Sequence, residues 1–248
     1  MAGIRRLALS HRHLSFILLL STYSVYAQTS SLDSMFIQQM KDSVISLYHQ
    51  SLGEDILLYN GREYVAPYSR SVGHRYFASE HPQKGYIVYS NILYPHSAVS
   101  YDLTTDDVII RTTGNRSIKL LGEKISYFSL GDAIFIRLSQ QPDKINVPST
   151  GFYQVLYNGG ITVLVKRRKQ LEPVFNLEDP YRFVSYDRYF TKKGDVYREI
   201  DSESSLINSF PNKTEMRKYM RNQGLSFKKN RERAIVQVAA YYDQTQKP

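Results

Sequence analysis

The chain has 248 residues, with no cysteine, no tryptophan and 21 tyrosines, and its 32 Lys and Arg outnumber its 23 Asp and Glu. The absence of cysteine excludes disulfides, thiol catalysis, thiolate metal sites and a lipid-anchoring cysteine. The tyrosine content favours β structure, because tyrosine fits a half-exposed pleated surface with an apolar body and a polar tip. Binding of glycans or peptides by such a surface is the alternative interpretation.

The first 27 residues are typical of a cleavable signal peptide. They have a basic start with Arg5, Arg6 and Arg12, continue with an apolar run over Leu14–Leu20 and end in a small-residue cleavage site at Ala27. A membrane anchor is the weaker alternative, because the apolar run is far shorter than the roughly 20 residues that a spanning helix needs. The sequence therefore predicts a protein over 28–248 that is periplasmic, cell-surface or extracellular and has no further transmembrane segment.

The basic excess of the exported chain is confined to its C-terminal end. Residues 28–205 contain 20 Lys and Arg and 20 Asp and Glu, whereas residues 206–248 contain nine and three. This charge asymmetry divides the exported chain into a neutral domain over 28–202 and a basic module over 203–248. The patterns described next predict one helix and an antiparallel sheet for the domain and helices for the module.

An amphipathic helix is predicted over 32–50. Apolar residues recur there at spacings of three to four, and Gly53 provides a stop. These residues are Leu32, Phe36, Met40, Val44 and Leu47.

From about residue 56 to 200 the pattern changes to short alternating runs that predict strands. The predicted strands are Leu57–Tyr59, Glu63–Val65, Tyr86–Tyr89, Ala98–Leu103, Val108–Arg111, Ser117–Leu121, Ile125–Leu130, Ile134–Leu138, Phe152–Tyr157, Ile161–Arg167, Tyr189–Phe190 and Val196–Ile200. Turn residues separate them at Asn60-Gly61, Asn158–Gly160 and Lys192–Asp195. Because the connections are too short for parallel crossovers, we expect an antiparallel meander that curls into a half-barrel or sandwich.

Helical patterns return at the end of the chain. A short piece over Ser204–Phe210 stops at Pro211, and a second helix runs from Asn212 to about Asn222, with Glu215 at the spacing of a capping box. A third helix begins after Asn230, and its apolar stripe consists of Ala234, Ile235, Val238, Ala239 and Tyr242. The predicted fold class is α+β: an N-terminal helix, the curled antiparallel sheet and the basic C-terminal helices.

Three stretches resemble uncharacterised exported proteins of Bacteroidota. They are Tyr101–Leu103 followed by Asp106–Val108, Gly151–Tyr157, and the ending from Phe210 to Tyr242. The resemblance covers most of the exported chain and implies a compartment and an architecture. It implies no reaction and no functional residue.

A metal site has one candidate in the sequence, formed by His74, Glu80, His81 and His96. Zinc requires three or four ligands that converge from fixed elements. Because these residues are spread over loop-rich sequence beside Pro82, the preferred interpretation is a set of surface loop histidines, with neither metal nor cofactor.

Asp102, Asp106 and Asp107 flank two threonines and are the other candidates for chemistry. A calcium site or a general acid–base pair is conceivable. The same residue types are typical of a hairpin turn, because Asp and Thr side chains bond to the local backbone. We therefore predict a turn.

A cationic surface for an anionic partner is the remaining functional signal. Its candidate residues are Lys166, Arg167, Arg168, Lys213, Arg217, Lys218, Arg221, Lys228, Lys229 and Arg231. The partner would be an envelope protein, an acidic glycan or an anionic lipid, and nucleic acid is disfavoured in an exported compartment. A solvated basic helix surface without a specific partner is the alternative.

Three functions remain open at this point. The preferred one is a non-enzymatic interaction protein of the cell envelope, because the chain has no nucleophile elbow, no phosphate-binding loop and no other catalytic signature. The second is a carrier of an apolar, lipid-like ligand in a curved-sheet pocket. The third is a hydrolase that uses the carboxylates or histidines named above.

Overall fold

The structure of the protein is a computed structural model, and the side chain of His96 lies outside what it describes. The described residues are 61–67, 70–112, 114–140, 148–175 and 178–246. The predicted signal peptide, the predicted helix over 32–50 and the first strand of the hairpin at Asn60-Gly61 lie outside these residues.

Antiparallel β structure dominates the described residues, and three helices follow it, which fits an α+β or a mostly-β class. The strands are β1 (Arg62–Glu63), β2 (Ser71–Val72), β3 (Gln83–Tyr89), β4 (Ile92–Asp102), β5 (Asp107–Arg111), β6 (Ser117–Lys119), β7 (Ile125–Leu130), β8 (Ala133–Leu138), β9 (Gly151–Asn158), β10 (Thr162–Lys166), β11 (Lys169–Pro173), β12 (Tyr181–Ser185), β13 (Arg188–Lys193) and β14 (Val196–Ile200). A 3₁₀ turn spans Gly122–Lys124, and the helices are α1 (Glu203–Asn208), α2 (Lys213–Asn222) and α3 (Arg231–Thr245).

Each strand predicted between residues 86 and 200 overlaps a strand of the structure, although β4 begins at Ile92, six residues before the predicted start. The predicted strand Ile125–Leu130 is β7 residue for residue. The turn at Asn158–Gly160 joins β9 to β10, and the turn at Gly194 joins β13 to β14 with Lys193 opposite Val196. Gly194 adopts φ +56°, a conformation that L side chains rarely adopt, so the glycine suits this tight connection.

Eleven strands form one open sheet in the order β1-β6-β5-β4-β3-β7-β8-β9-β10-β13-β14. All of its strand pairs are antiparallel. Three neighbour pairs, β1 with β6, β3 with β7 and β10 with β13, are not consecutive in the chain. The sheet therefore departs from a simple meander at these three points.

A second sheet of three strands, in the order β11-β12-β2, was not predicted. Its β12–β2 pair is parallel, with Tyr181 opposite Ser71 and Arg182 opposite Val72. The prediction of antiparallel pairing throughout is wrong for this pair. Short local connections restrict only strands that follow one another, whereas these two strands lie more than a hundred residues apart.

The large sheet curls around an aromatic core. The rings of Tyr101 on β4 and Phe152 on β9 lie 6.0 Å apart, although four strand steps separate these strands. In a flat sheet four steps span about 19 Å, more than two aromatic side chains can bridge. Phe128 and Phe135 fill the space between them in a stacked pair with centroids 4.8 Å apart.

The three helices pack against the other end of the sheet. The apolar stripe predicted for the last helix is buried, as are Met216 and Met220 of α2. These side chains share a core with β10, β13 and β14, to which the strands contribute Val163, Val165, Tyr189 and Ile200 and the residue before β10 contributes Ile161.

The predicted capping box at the start of α2 is wrong in its geometry. The side chain of Asn212 makes no cap hydrogen bond to the helix backbone, and its amide instead donates to Glu215 at 3.3 Å. Asn230 likewise makes no side-chain cap bond at α3. A capping box does form at α1, between Ser202 and Ser205.

Candidate functional site

The acidic turn between β4 and β5 is the hairpin turn that the sequence predicts, with Asp102 opposite Asp107. Asp102 is fully buried, and its carboxylate accepts hydrogen bonds from the Tyr64 hydroxyl at 2.6 Å and from the Arg75 guanidinium at 3.4 Å. The backbone N–H and the hydroxyl of Thr104 donate to its other oxygen at 2.8 and 2.7 Å. Because its oxygens are occupied and shielded from solvent, this carboxylate serves as a structural centre that joins the residue after β1, strand β4 and the segment before β3.

Asp106 connects the same turn to the opposite side of the curled sheet. Its carboxylate accepts a hydrogen bond from the hydroxyl of Tyr101 and lies 2.6 Å from the ammonium of Lys166 on β10. Desolvation lowers the pKa of Lys166, although the charge of Asp106 opposes the change. Gly151 lies directly against this ion pair, because a Cβ there would be 2.3 Å from both the Asp106 carboxylate and the Lys166 ammonium.

Arg167 joins the sheet to α3. Its guanidinium lies 2.6 Å from Asp187 and 2.8 Å from Glu232, and it also donates to Gln154 at 2.8 Å. Burial lowers the pKa of Arg167, but the hydrogen bond to Asp187 and the two negative charges outweigh burial and raise it. The charge of this residue is therefore compensated inside the protein.

Among the described side chains of the candidate metal site, His74 and Glu80 line one cavity, but they do not form a three-ligand group with His81. No group of three or more His, Asp or Glu residues that could hold a metal ion occurs among the residues that the structure describes. His74 is half-buried and stacks on Tyr76 with ring centroids 6.4 Å apart, whereas Glu80 and His81 are exposed. Burial and the neighbouring charge of Lys169 lower the pKa of His74, so its neutral form is favoured.

The basic residues of the C-terminal helices are exposed. All eight Lys and Arg between residues 213 and 233 are exposed, and none forms an ion pair with another described residue. They are Lys213, Arg217, Lys218, Arg221, Lys228, Lys229, Arg231 and Arg233. The guanidinium of Arg231 lies over the Phe227 ring, 4.9 Å from its centroid, which restrains this side chain.

The three acids of residues 206–248 are used inside the protein instead. Glu232 pairs with Arg167, and Glu215 accepts a hydrogen bond from Tyr241 at 3.0 Å. Asp243 is buried and accepts hydrogen bonds from the Tyr157 hydroxyl at 2.8 Å and from the backbone N–H of the β9–β10 turn at 2.7 Å. No local sequence pattern indicates this junction, because Asp243 and Gly160 lie 83 residues apart in the chain.

Surface cavities lie beside both sheets. One, of about 310 Å³, lies beside the small sheet and is lined by His74, Arg75, Glu80, Phe183 and others. The second, of about 440 Å³, lies over β13 and β14. It is lined by Pro148, Ser149, Arg188, Phe190, Tyr197, Arg198 and Glu199.

The sequence patterns did not predict the second cavity either, although a signal for its residues exists. Counting outward from the predicted turn places Phe190 opposite Glu199 and Lys192 opposite Tyr197, as observed. Charged side chains line both cavities, in contrast to the predominantly apolar pocket of a lipid carrier.

Comparison with protein-family models, with curated proteins and with solved structures finds no match to this chain. Among the described residues, no helix is long and apolar enough to cross a membrane.

Proposed function

We propose that this protein is an exported, non-enzymatic interaction protein of the cell envelope that docks on an anionic partner through its C-terminal helices. The docking surface, called here the cationic surface, consists of Lys213, Arg217, Lys218, Arg221, Lys228, Lys229 and Arg231.

The observation that carries the proposal is the sorting of charge in the helical segment. Each of its three acids is occupied by an internal partner, whereas the cations between residues 213 and 233 are exposed and without an ion pair among the described residues. Cations left uncompensated in this way produce a positive potential that attracts and orients an anionic partner.

Helix geometry strengthens this potential on α2. Lys213, Arg217 and Arg221 recur at intervals of four residues, so they follow one side of the helix at steps of about 6 Å. Among the described residues, every exposed large apolar side chain lies at or before Val196, so the C-terminal helices expose none. The proposed contact is therefore electrostatic, without an apolar side chain that would enter a bilayer.

Three of the predicted basic residues are left out of the cationic surface. Lys166 is paired with Asp106, and Arg167 is paired with Asp187 and Glu232. Arg168 is exposed, but it lies on the sheet and is not needed by the proposal. The scaffold that we propose is a half-barrel over 28–202, preceded by the helix over 32–50, with residues 203–248 as the docking module.

The test is reversal of Arg217, Arg221, Lys228 and Lys229 to Glu in one variant. We expect the wild-type protein to bind heparin–agarose and phosphatidylglycerol vesicles at low salt, and to be released as salt increases. The reason is that the screening length falls from about 10 Å at 0.1 M to about 3 Å at 1 M. The reversed variant should lose binding to both probes.

The matched control reverses four exposed cations outside the helical module, Lys84, Arg111, Lys124 and Arg182, and so changes the net charge equally. It should retain most of the binding. Unchanged binding by the helix variant, or an equal loss in the control, would show that the cationic surface is only a solvated helix surface. Far-UV circular dichroism of both variants checks that the fold is intact.

A further inference from the structure

A groove on the face of β13 and β14 opposite the helices carries a second inference. Residues alternate along a strand between the two faces of a sheet. Tyr189 and Ile200 face the helices, so Arg188 and Phe190 of β13 and Tyr197 and Glu199 of β14 share the other face. This face carries the cavity of about 440 Å³, a volume within the roughly 300–1,000 Å³ typical of small-molecule sites.

The groove combines an apolar floor with a fixed polar pair. Phe190 and Pro148 are buried, and Tyr197 is half-buried beside them. Arg188 and Glu199 form two parallel hydrogen bonds of 2.7 and 2.6 Å, yet their side chains remain 59% and 41% exposed.

Two further contacts hold the walls of the groove in place. The guanidinium of Arg188 lies over the Phe190 ring, 5.5 Å from its centroid. On the other wall, the backbone carbonyl of Ser149 accepts a hydrogen bond from the buried hydroxyl of Tyr153 at 2.8 Å. The site is therefore held in shape by contacts within the protein, which limits the ordering that a ligand has to impose.

The chemistry of these groups narrows the class of ligand. The paired guanidinium and carboxylate offer N–H donors and carboxylate acceptors side by side, with no net charge between them. The adjacent aromatic and proline rings offer an apolar surface. A ligand complementary to both carries neighbouring hydroxyl groups on one side and C–H groups on the other, which describes an uncharged sugar ring.

We propose that this groove binds a neutral oligosaccharide, with a sugar ring against Tyr197 and its hydroxyl groups on the Arg188–Glu199 pair. Because the Arg188–Glu199 pair is neutral as a whole, it favours neither an anionic nor a cationic ligand. This proposal is independent of the cationic surface, which lies on the helices.

The test is native gel electrophoresis of the purified protein in gels that contain dextran, a β-1,3-glucan, a mannan or a xylan, followed by calorimetry with short oligomers of any glycan that retards it. We expect retardation by at least one of these glycans. Tyr197→Ala, and the double variant Arg188→Ala with Glu199→Ala, should each weaken affinity at least tenfold.

Matched controls come from equivalent groups elsewhere on the surface. Tyr181→Ala removes another partly exposed strand tyrosine, and Arg116→Ala with Glu63→Ala removes another exposed Arg–Glu pair. Both controls should bind like the wild type. A melting temperature equal to that of the wild type shows that a variant is folded. Absence of retardation by all four glycans, or equal losses in the controls, overturns the proposal.

The cationic surface and the groove can be tested independently of each other. The variant with four reversed cations should keep its retardation in the neutral glycan gel, while the groove variants should keep their binding to heparin–agarose. A third outcome is that polygalacturonate retards the wild type but not the variant with four reversed cations, while no neutral glycan retards the wild type. This outcome would support the cationic surface and refute the proposed groove site.

Discussion

The buried carboxylate of Asp102 leads to a quantitative prediction for Asp102→Asn. In the wild type, one carboxylate oxygen accepts from Thr104, and the other accepts from the Tyr64 hydroxyl and the Arg75 guanidinium. An asparagine keeps the acceptor for Thr104, and its amide nitrogen donates to the oxygen of Tyr64. The same nitrogen faces the N–H groups of Arg75, so that one charge-assisted contact becomes a contact between two donors.

The magnitude follows from the burial of the partner. Arg75 is 8% exposed and retains one other hydrogen bond, to the carbonyl of Pro67 at 2.9 Å. Removing one partner of a buried ion pair costs about 3–5 kcal/mol. Because the Arg75–Asp102 distance is a long 3.4 Å and the second bond remains, we expect a loss near the lower limit, about 3 kcal/mol of unfolding free energy.

The assay is urea unfolding, followed by circular dichroism and tyrosine fluorescence, since the chain has no tryptophan. Asp107→Asn is the matched control, because this aspartate lies in the same hairpin but pairs with a half-exposed Lys119 at 3.2 Å. Such pairs contribute about 0–1 kcal/mol. If Asp102→Asn lies within 1 kcal/mol of the wild type, or equals the control, the assignment of Asp102 as a structural centre is refuted.

Three further predictions concern other parts of the fold. Gly151→Ala should destabilise by about 2–4 kcal/mol in thermal unfolding, because its φ is +148° and its Cβ would separate Lys166 from Asp106; a wild-type melting temperature would contradict this. Asp243→Asn should cost about 1–2 kcal/mol and accelerate hydrogen exchange of the β9–β10 turn amide, and unchanged exchange would show that the junction is not needed. The pKa of His74 is lowered in the folded state, so the unfolded chain binds more protons below about pH 6.5 and stability falls with acidification. The wild type should therefore lose more stability than His74→Gln between pH 7.5 and 5.5, and equal slopes would count against burial of that imidazole.

The sequence alone determined the local elements, because their signals are local. Alternating apolar residues located β7 residue for residue, and the turn residues at Asn158–Gly160 located a hairpin. The apolar stripe of α3 identified its buried face. The strands of the small sheet were missed, because Lys169–Pro173 contains charged residues and a proline, and its Leu171 is exposed, so that no alternation marks it.

Only the tertiary structure decided which distant elements meet. The pairing of β3 with β7, and of β12 with β2, depends on how whole surfaces pack, and no local pattern encodes it. For the same reason, basic residues that are equivalent in the sequence pattern differ in their ion pairing in the structure. Lys166 and Arg167 meet acids brought near by the curl of the sheet and by α3, whereas Arg217 meets solvent. The sequence defines which side chains are charged, but whether a charge is compensated depends on the residues that lie near it in the folded structure.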